Sequence, residues 1–340
     1  MQNVAERKPA MNTRTKKILI CDQFAVEALV YLRKNSAYEI VVTPTLELLH
    51  QHLPDADGII IRSKVKIDGS FLDKAKKLQV IVTCTSGYDH LCFDEIKKRN
   101  IIVMYTPEAN QISAAEHTWA LLLACCRHLP QAYSELKQKN WNRAPYMGCE
   151  LHGKVIGIIG LGRIGSRVAK IANAFGMSVL AFDPYCAAEV FTDTNAQRAS
   201  YEEVLRQADV ISYHVPKTKE TYHMLNRVHF EIINPDAIII NTSRGSVIHE
   251  DDLAQALLEN KIKAAGLDVF EKEPLDQHSK LMKCKNAVIT PHLGAYTEEA
   301  FLKASMQGAI QMDDYFSANK IKNSLPLDNA KQIYNFAEGN

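Results

Sequence analysis

The stretch from Val155 to Asp183 constrains the fold of this chain most strongly, because five local features occur in it in a fixed order. An apolar run at Val155–Ile159 predicts a buried strand, and it leads directly into a G-x-G-x-x-G turn. An amphipathic helical pattern then runs to Gly176, a residue suited to a helix C-terminus. A second apolar run, Val179–Phe182, ends at Asp183. Strand, glycine turn, helix, strand and acidic residue in this order predict a doubly wound α/β unit that binds a dinucleotide.

Each part of this fingerprint has a physical role. Gly160 permits the tight turn, Gly162 lets the backbone approach a pyrophosphate, and Gly165 lets helix and strand pack closely. The helix N-terminus offers unpaired N–H groups to the phosphates. Asp183 can accept hydrogen bonds from both adenosine ribose hydroxyls, and its carboxylate would repel a 2′-phosphate, so NAD is favoured over NADP as the cofactor.

Bulk composition narrows the class of protein. A length of 340 residues suits two domains, and 46% hydrophobic with 23% charged residues is typical of a globular protein. A net charge of +1 gives no reason to expect nucleic acid or a membrane as partner, and no apolar run reaches the length of a membrane span. The N-terminus has no apolar segment of a secretory signal, and the eight cysteines include no C-x-x-C. We therefore expect reduced, buried thiols, no metal and a cytoplasmic location.

The chain before the fingerprint alternates short apolar runs with helical patterns, one of them at Leu46–His50. This alternation predicts a small parallel α/β domain. The nucleotide domain is therefore not N-terminal. The predicted strands are Lys17–Cys21, Glu39–Val42, Gly58–Arg62, Val80–Thr83 and Ile101–Met104.

The longest helical pattern, Ser113–Lys139, lies between the two α/β regions. Ser113 with Glu116 three residues later predicts an N-terminal capping box, and Pro130 is expected to break or kink the helix. After Asp183 the alternation resumes. Its predicted strands are Val210–His214, Ala237–Asn241, Ala264–Val269 and Ala287–Thr290, and its helices are Tyr201–Gln207, Asp251–Glu259 and Glu298–Phe316, the last of which is expected to return to the first domain.

Three of these strands are followed by titratable or charged residues suited to hydride transfer: Arg244, Glu273 and His292. Arg244 can bind a carboxylate and polarise the adjacent carbonyl. His292 can protonate the developing alkoxide and remove the proton in reverse. Glu273 can accept the other N–H of the imidazole, which fixes the tautomer and raises the pKa of the histidine. Ligands bind at the carboxyl ends of parallel strands, so these residues are expected to converge.

Residues 17 to 316 resemble the D-2-hydroxyacid dehydrogenases through the stretches GIIGLGRIG, INTSRGSVIHEDDL, AAGLDVFEKEP and TPHLGAYT. The resemblance implies a flavodoxin-like substrate domain (17–110 and 297–325) and a Rossmann NAD-binding domain (111–296), joined by long helices, with tails at 1–16 and 326–340. It implies that Arg244, Glu273 and His292 are catalytic, that Asp268 holds the nicotinamide carboxamide, and that the protein is a homodimer or a dimer of dimers. The other cofactor-binding residues that it implies are Gly160, Gly162, Arg163, Ile164, Gly165, Asp183, His214, Pro216, Thr221, Thr242, Ser243 and Gly294.

Two further stretches, TPEANQISAAEHTWALLLACCRHLPQA and IIIRSKVKID, are similar to D-3-phosphoglycerate dehydrogenases, enzymes of serine biosynthesis. The similarity implies that Arg62, with Lys64 and Lys66 nearby, contacts a substrate phosphate. The alternative is a solvated basic loop. We expect no serine-sensing C-terminal domain. The substrate-binding residues implied are Arg62, Ser63, Thr85, Ser86, Gly87 and Asn110.

Other functions remain open at this stage. Thr85 stands where those enzymes commonly have glycine, and His90 where they often have asparagine. Gly-Tyr-Asp-His also occurs in relatives that act on other 2-hydroxy acids, so a glyoxylate/hydroxypyruvate or D-lactate-type reductase is an alternative. Formate oxidation is disfavoured because an amide would be expected at Glu273. A more distant alternative is an NAD(H)-sensing corepressor-like binding protein, since such proteins share these residues.

Overall fold

The computed structural model describes residues 14–325, and these divide into two compact units. The first unit combines residues 14–107 with residues 301–325, and the second comprises residues 108–300. Most of the two predicted tails, residues 1–13 and 326–340, lies outside the described residues.

The first unit contains one five-stranded parallel sheet in the order β2-β1-β3-β4-β5. This order and the helices between the strands confirm the predicted flavodoxin-like topology. Both central strands, β3 and β4, are buried along their whole length, as their continuous apolar sequence predicts. The strands are β1 Lys16–Ile20, β2 Tyr38–Val42, β3 Gly58–Ile61, β4 Val80–Thr83 and β5 Ile102–Tyr105, and the helices are α1 Val26–Arg33, α2 Leu46–His52, α3 Gly69–Lys74 and α4 Phe93–Lys98.

The second unit contains a seven-stranded parallel sheet in the order β12-β11-β10-β9-β6-β7-β8. The order reverses between β6 and β9, which is the switch point at which such sheets bind ligands. The strands are β6 Val155–Ile159, β7 Ser178–Phe182, β8 Ala196–Arg198, β9 Val210–Tyr213, β10 Ile238–Asn241, β11 Ala264–Leu267 and β12 Ala287–Ile289. The helices are α5 Gln111–Arg127, α6 Leu129–Lys137, α7 Arg163–Ala174, α8 Ala188–Asp193, α9 Tyr201–Gln207 and α10 Glu250–Leu258.

Two apolar clusters sandwich this sheet. One includes Trp119 and Leu122 of α5 with Val168 of α7, and the other includes Val204 of α9 with Leu253 of α10. Helices therefore cover both faces, which explains why the strands read as continuous apolar runs. The edge strand β8 and helix α8, which precede α9, were missed by the sequence analysis. Their sequences are short and, for β8 (Ala-Gln-Arg), polar, so they carry little periodic signal.

Helix α5 corrects one sequence prediction. Ser113 is not the N-cap, because the helix begins at Gln111 and Asn110 is the capping residue. Ser113 is instead buried in the first turn, with its Oγ 2.9 Å from Thr297 Oγ1. The break near Pro130 is confirmed: α5 ends at Arg127, and the left-handed conformation of the next residue, His128 (φ 51°, ψ 35°), redirects the chain. The proline lies in the first turn of α6, where its missing N–H costs no hydrogen bond.

The last helix, α11 Glu298–Ala318, belongs to the first unit from residue 301 onward. Asp313 connects this helix to the rest of the first unit, because it accepts hydrogen bonds from Tyr38 Oη (2.7 Å), Tyr31 Oη (3.1 Å) and Asn35 Nδ2 (3.3 Å).

All eight cysteines are free thiols: five are buried, and Cys92, Cys149 and Cys186 are partly exposed. No helix within residues 14–325 is both long enough and apolar enough to cross a membrane.

Candidate active site

The glycine turn after β6 has the geometry that the fingerprint requires. Gly160 adopts φ +93°, and a Cβ there would lie 2.8 Å from the carbonyl oxygen of His214. A Cβ on Gly165 would lie 2.0 Å from the carbonyl oxygen of Gly160, so helix α7 can pack this closely only with glycine. Around Gly162, in contrast, no heavy atom from elsewhere in residues 14–325 lies within 4 Å of the Cβ position, its immediate chain neighbours aside. The open space beside Gly162, at the N-terminus of α7, is a cradle that fits a pyrophosphate.

Asp183 directly follows β7 and is hydrogen-bonded to this turn. Its Oδ2 accepts the Leu161 N–H at 2.8 Å, and its Oδ1 accepts the N–H groups of Tyr185 (2.9 Å) and Cys186 (3.0 Å). These bonds hold the carboxylate beside the glycine turn. A carboxylate has about four acceptor positions, so one remains for a ribose hydroxyl.

The loop after β9 borders the same turn. The His214 N–H bonds to Ile159 O at 2.8 Å, and its Nε2 lies 2.9 Å from Ser212 Oγ. Burial lowers the pKa of His214 to about 3, so the ring is neutral, and its buried Nδ1 has no hydrogen-bond partner among the described residues. Thr221 closes the loop by donating its Oγ1 hydrogen to Pro216 O at 2.7 Å.

Arg244 follows β10 in a loop that Asn241 shapes. Asn241 Nδ2 donates to Arg244 O (2.9 Å), while its Oδ1 accepts from the backbone N–H (3.0 Å) and the hydroxyl (2.8 Å) of Ser243. Arg244 Nη1 donates to Ser243 O at 2.6 Å. Gly245 lies against the neighbouring loop: a Cβ there would be 1.9 Å from the carbonyl carbon of Phe270. The loop that carries Arg244 therefore packs on the segment that leads to Glu273.

Glu273 and His292 contact each other directly. His292 Nδ1 lies 2.7 Å from Glu273 Oε2, and Glu273 Oε1 accepts the Phe270 N–H at 3.1 Å. The Glu273 hydrogen bond raises the pKa of His292, and burial and the positive charge of Arg244 oppose this rise. Burial acts to raise the pKa of Glu273, but the His292 hydrogen bond and charge outweigh it and leave that pKa lowered. The histidine side chain is 53% exposed, so a ligand can reach the imidazole.

Asp268 directly follows β11 and accepts hydrogen bonds from several residues of the loop that carries His292. Its carboxylate is buried and accepts the Leu293 N–H on Oδ1 and the Gly294 N–H on Oδ2, both at 2.7 Å. Thr290 Oγ1 donates to Oδ1 at 2.6 Å. Burial acts to raise the pKa of Asp268, but the hydrogen bonds from His117, Thr290, Leu293 and Gly294 outweigh it and hold the pKa below its ordinary value.

The predicted catalytic residues thus share one edge of the second unit, where a guanidinium, a carboxylate and an imidazole follow adjacent strands. Such a set can bind a carboxylate, polarise a carbonyl and transfer a proton. Sequence reasoning missed Asn241, Thr290 and His117, which shape the two loops. Asn241 carried a usable signal, since an asparagine directly before Thr-Ser-Arg-Gly is typical of an Asx turn. His117 carried none, because it is one histidine in an apolar helical run.

The predicted substrate-binding residues lie mainly in the first unit. Arg62 follows β3, its guanidinium lies 5.2 Å from the Phe301 ring centroid, and its buried Nη1 has no hydrogen-bond partner among the described residues. Ser63 beside it is exposed, and Asn110 is in the second unit at the start of α5.

In the loop after β4, Thr85 Oγ1 donates to Gly87 O (2.6 Å), while Ser86 Oγ lies 3.4 Å from Thr106 O. Thr83 Oγ1 lies 2.7 Å from Thr85 Oγ1 and 3.1 Å from His90 Nε2. The two residues that depart from the phosphoglycerate dehydrogenase pattern, Thr85 and His90, are therefore bridged by one hydroxyl.

Comparison with known proteins provides independent evidence on the family. The family model "D-isomer specific 2-hydroxyacid dehydrogenase, NAD binding domain" matches residues 119–294. D-3-phosphoglycerate dehydrogenase of Archaeoglobus fulgidus is 38% identical over 318 residues, which cover 93% of this chain and 59% of that protein. The chain thus spans well under two thirds of this relative's length.

Solved structures match this chain over most of its length and over nearly all of their own. TT0316 protein from Thermus thermophilus is 32% identical with a TM-score of 0.82, covering 91% of this chain and 99% of that one. D-lactate dehydrogenase from Aquifex aeolicus, solved with NAD and lactic acid, is 30% identical with a TM-score of 0.77, covering 88% of this chain and 95% of that one.

Proposed function

Because this chain belongs to the D-isomer specific 2-hydroxyacid dehydrogenase family, we propose that it interconverts a D-2-hydroxy acid and its 2-keto acid with NAD as the hydride carrier. The observation that carries this proposal is the His292–Glu273 contact of 2.7 Å, with Arg244 near enough to act on the pKa of the histidine. The first unit serves as the substrate domain and the second as the NAD-binding domain.

The roles of the chain's residues follow from their atoms. His292 gives its Nδ1–H to Glu273, so Nε2 faces the substrate and exchanges the proton of the C2 hydroxyl. Glu273 keeps the imidazolium form present near neutral pH. Arg244 binds the carboxylate of the substrate and polarises its carbonyl. A bound nicotinamide supplies the hydride chemistry.

NAD is the cofactor that the residues favour. The open space at Gly162 takes the pyrophosphate, with the N–H groups of Arg163, Ile164 and Gly165 as donors. The remaining acceptor position of Asp183 suits a ribose hydroxyl and disfavours a 2′-phosphate. The further residues that border the cofactor in this proposal are His214, Pro216, Thr221, Thr242, Ser243, Asp268 and Gly294.

The substrate we propose is 3-phosphoglycerate. Arg62 supports it, since a buried guanidinium nitrogen that has no partner among residues 14–325 is what a phosphate oxygen would satisfy. The sequence identity to D-3-phosphoglycerate dehydrogenases supports the same substrate. Ser63, Thr85, Ser86, Gly87 and Asn110 complete the proposed substrate-binding set.

A second candidate is a D-lactate-type or hydroxypyruvate reductase. It is favoured by the structural likeness to the Aquifex aeolicus D-lactate dehydrogenase and by the bridge from Thr85 to His90 through Thr83, which replaces the expected glycine and asparagine. The two candidates share their catalytic residues and differ in what Arg62 contacts.

The deciding experiment measures NAD and NADP reduction with a panel of D-2-hydroxy acids, including 3-phosphoglycerate, D-lactate and D-glycerate, and NADH oxidation with the corresponding keto acids and glyoxylate. A His292→Asn variant, which is expected to bind NADH and turn over poorly, is the control. Activity with 3-phosphoglycerate above the others supports the first candidate, and activity confined to unphosphorylated acids supports the second. A folded protein that binds NADH and is inactive on the whole panel refutes both.

We further propose that the protein is a homodimer that associates through residues 129–147 of the second unit. This segment exposes five large apolar side chains within 19 residues, and a group of exposed apolar side chains is typical of an interface. They are Leu129, Tyr133, Leu136, Trp141 and Met147, exposed by 54 to 89%. Sedimentation equilibrium should give a dimer for the natural chain and a monomer for a Trp141→Asp/Met147→Asp variant. A monomeric natural chain would contradict the proposal.

A further inference from the structure

The first two turns of helix α5 carry three polar side chains for which the proposed reaction gives no role. Ser113 Oγ lies 2.9 Å from Thr297 Oγ1, and Thr118 Oγ1 lies 2.8 Å from Thr242 Oγ1. His117 Nε2 lies 3.1 Å from Asp268 Oδ1 and 3.0 Å from Thr290 Oγ1. One helix therefore contacts the loop of Arg244, the end of β11 and both sides of the His292 loop.

The hydrogen-bond chemistry assigns the proton on His117. Thr290 uses its only hydroxyl hydrogen in the 2.6 Å bond to Asp268, and a carboxylate is an acceptor only. Both neighbours of His117 Nε2 are thus acceptors. His117 Nε2 must carry a hydrogen, which makes it the third donor on Asp268 Oδ1.

The loop that Asp268 holds is strained at the catalytic position. His292 adopts φ +55°, the left-handed region that is uncommon for residues other than glycine. Its N–H bonds to Asp268 O at 2.9 Å, and the carboxylate of Asp268 fixes the residues on both sides, Thr290 before it and Leu293 and Gly294 after it. Such strain persists only where the surroundings over-determine it.

We propose that His117 is a positioning residue: its Nε2–H orients the carboxylate of Asp268, which in turn holds the strained backbone at His292 in the conformation that presents the imidazole to Glu273 and to substrate. This role rests on the dehydrogenase activity proposed above. Helix α5 is a suitable anchor, because its Trp119 and Leu122 are buried in the core on one face of the seven-stranded sheet.

The test compares His117→Leu, which removes the donor, with His117→Gln, whose amide N–H can replace it. In the leucine variant we expect kcat for keto-acid reduction to fall on the order of tenfold, while KM changes by less than about threefold. In the glutamine variant we expect kcat to lie within about threefold of the natural value. Thr290→Val, which removes another donor from the same carboxylate, should resemble His117→Leu. Asn286→Ala is the matched control, since Asn286 donates to Leu257 O and Lys263 O before β12, whereas Thr290 directly follows this strand.

A second readout does not need turnover. The titration of His292 is followed by NMR of histidine-labelled protein, with its signal assigned from His292→Asn. The charged groups that act on His292 are Glu273, Asp268 and Arg244. A loosened loop weakens the Glu273 contact, so the midpoint should move to lower pH in His117→Leu and Thr290→Val. It should stay unchanged in His117→Gln and Asn286→Ala.

The outcomes separate the two proposals. A shifted titration in a protein that is inactive on every acid would refute the activity and leave the positioning role supported. An active enzyme in which folded His117→Leu and Thr290→Val keep both kcat and the His292 midpoint would refute the positioning role. So would equal losses in His117→Leu and Asn286→Ala, because the effect would then be one of general stability.

Discussion

Replacing Gly245 with alanine adds only one methyl group, but it should disrupt the proposed active site strongly. The added Cβ would lie 1.9 Å from the carbonyl carbon and 2.0 Å from the carbonyl oxygen of Phe270, both of them backbone atoms that cannot rotate away. Ordinary contact begins at 3.4 Å, so the two loops must separate by about 1.5 Å. Those loops carry Arg244 and Glu273. A misplacement of about 1 Å between reacting groups costs about 100-fold in rate, and we therefore expect kcat/KM for keto-acid reduction to fall by about 100-fold or more.

The assay is steady-state NADH oxidation together with a thermal melt. Gly157→Ala is the control, since its Cβ would meet the side chain of Val204 at 2.3 Å, inside the core, where overpacking costs roughly 1–3 kcal/mol of stability and leaves the loops in place. A Gly245→Ala protein that melts like Gly157→Ala and has lost far more activity supports the reasoning. If it instead keeps kcat/KM within about threefold of the natural chain, the packing of the Arg244 loop on Phe270 does not position the site.

Four further predictions each concern one residue or one residue pair of the site. In Glu273→Gln the raised pKa of His292 should fall, so the loss of reduction activity on the alkaline side of the pH profile should begin at lower pH; an unmoved limb would refute the role of the contact. In the natural chain the Glu273–His292 pair stabilises the fold above the ordinary pKa of a glutamate. This stabilisation is lost as the pH falls through the lowered pKa of Glu273, and it is also lost as the pH rises through the raised pKa of His292. Melting temperatures measured across this pH range would show both losses. Asp183→Ala should reduce the preference of kcat/KM for NAD over NADP by about tenfold or more, and an unchanged ratio would exclude its ribose contact. Arg62→Ala should raise KM for 3-phosphoglycerate by about tenfold or more and leave glyoxylate nearly unaffected, whereas equal effects would exclude the phosphate contact.

Local sequence was sufficient for the elements whose signal is short-range. The strand, glycine turn, helix and strand from Val155 to Asp183 occur where the pattern predicts them, with Gly176 at φ +72° after α7. Alternating strands and helices also predicted two parallel sheets, because only crossover connections join parallel strands. The pairing of Glu273 with His292 was expected from the resemblance to the D-2-hydroxyacid dehydrogenases, and the two side chains lie 2.7 Å apart.

The limits of local sequence are clearest where one pattern has two outcomes. Ser-x-x-Glu occurs at Ser113 and at Ser200. At Ser200 it forms a capping box on α9, while at Ser113 it lies inside α5 and the hydroxyl bonds to Thr297. Nothing within the four residues distinguishes the two cases. The difference is a partner 184 positions away in the chain.

What the sequence by itself determined is the set of elements, the glycine positions and the types of residue at the strand ends, since each depends on dihedral preference or on burial along a single segment. The tertiary structure decided which polar groups meet: the convergence of His117, Thr290 and two loop amides on one carboxylate brings together separate segments of chain. Hydrogen bonds depend on distances of tenths of an ångström, and such distances are set by packing of whole layers, which no single stretch of sequence encodes.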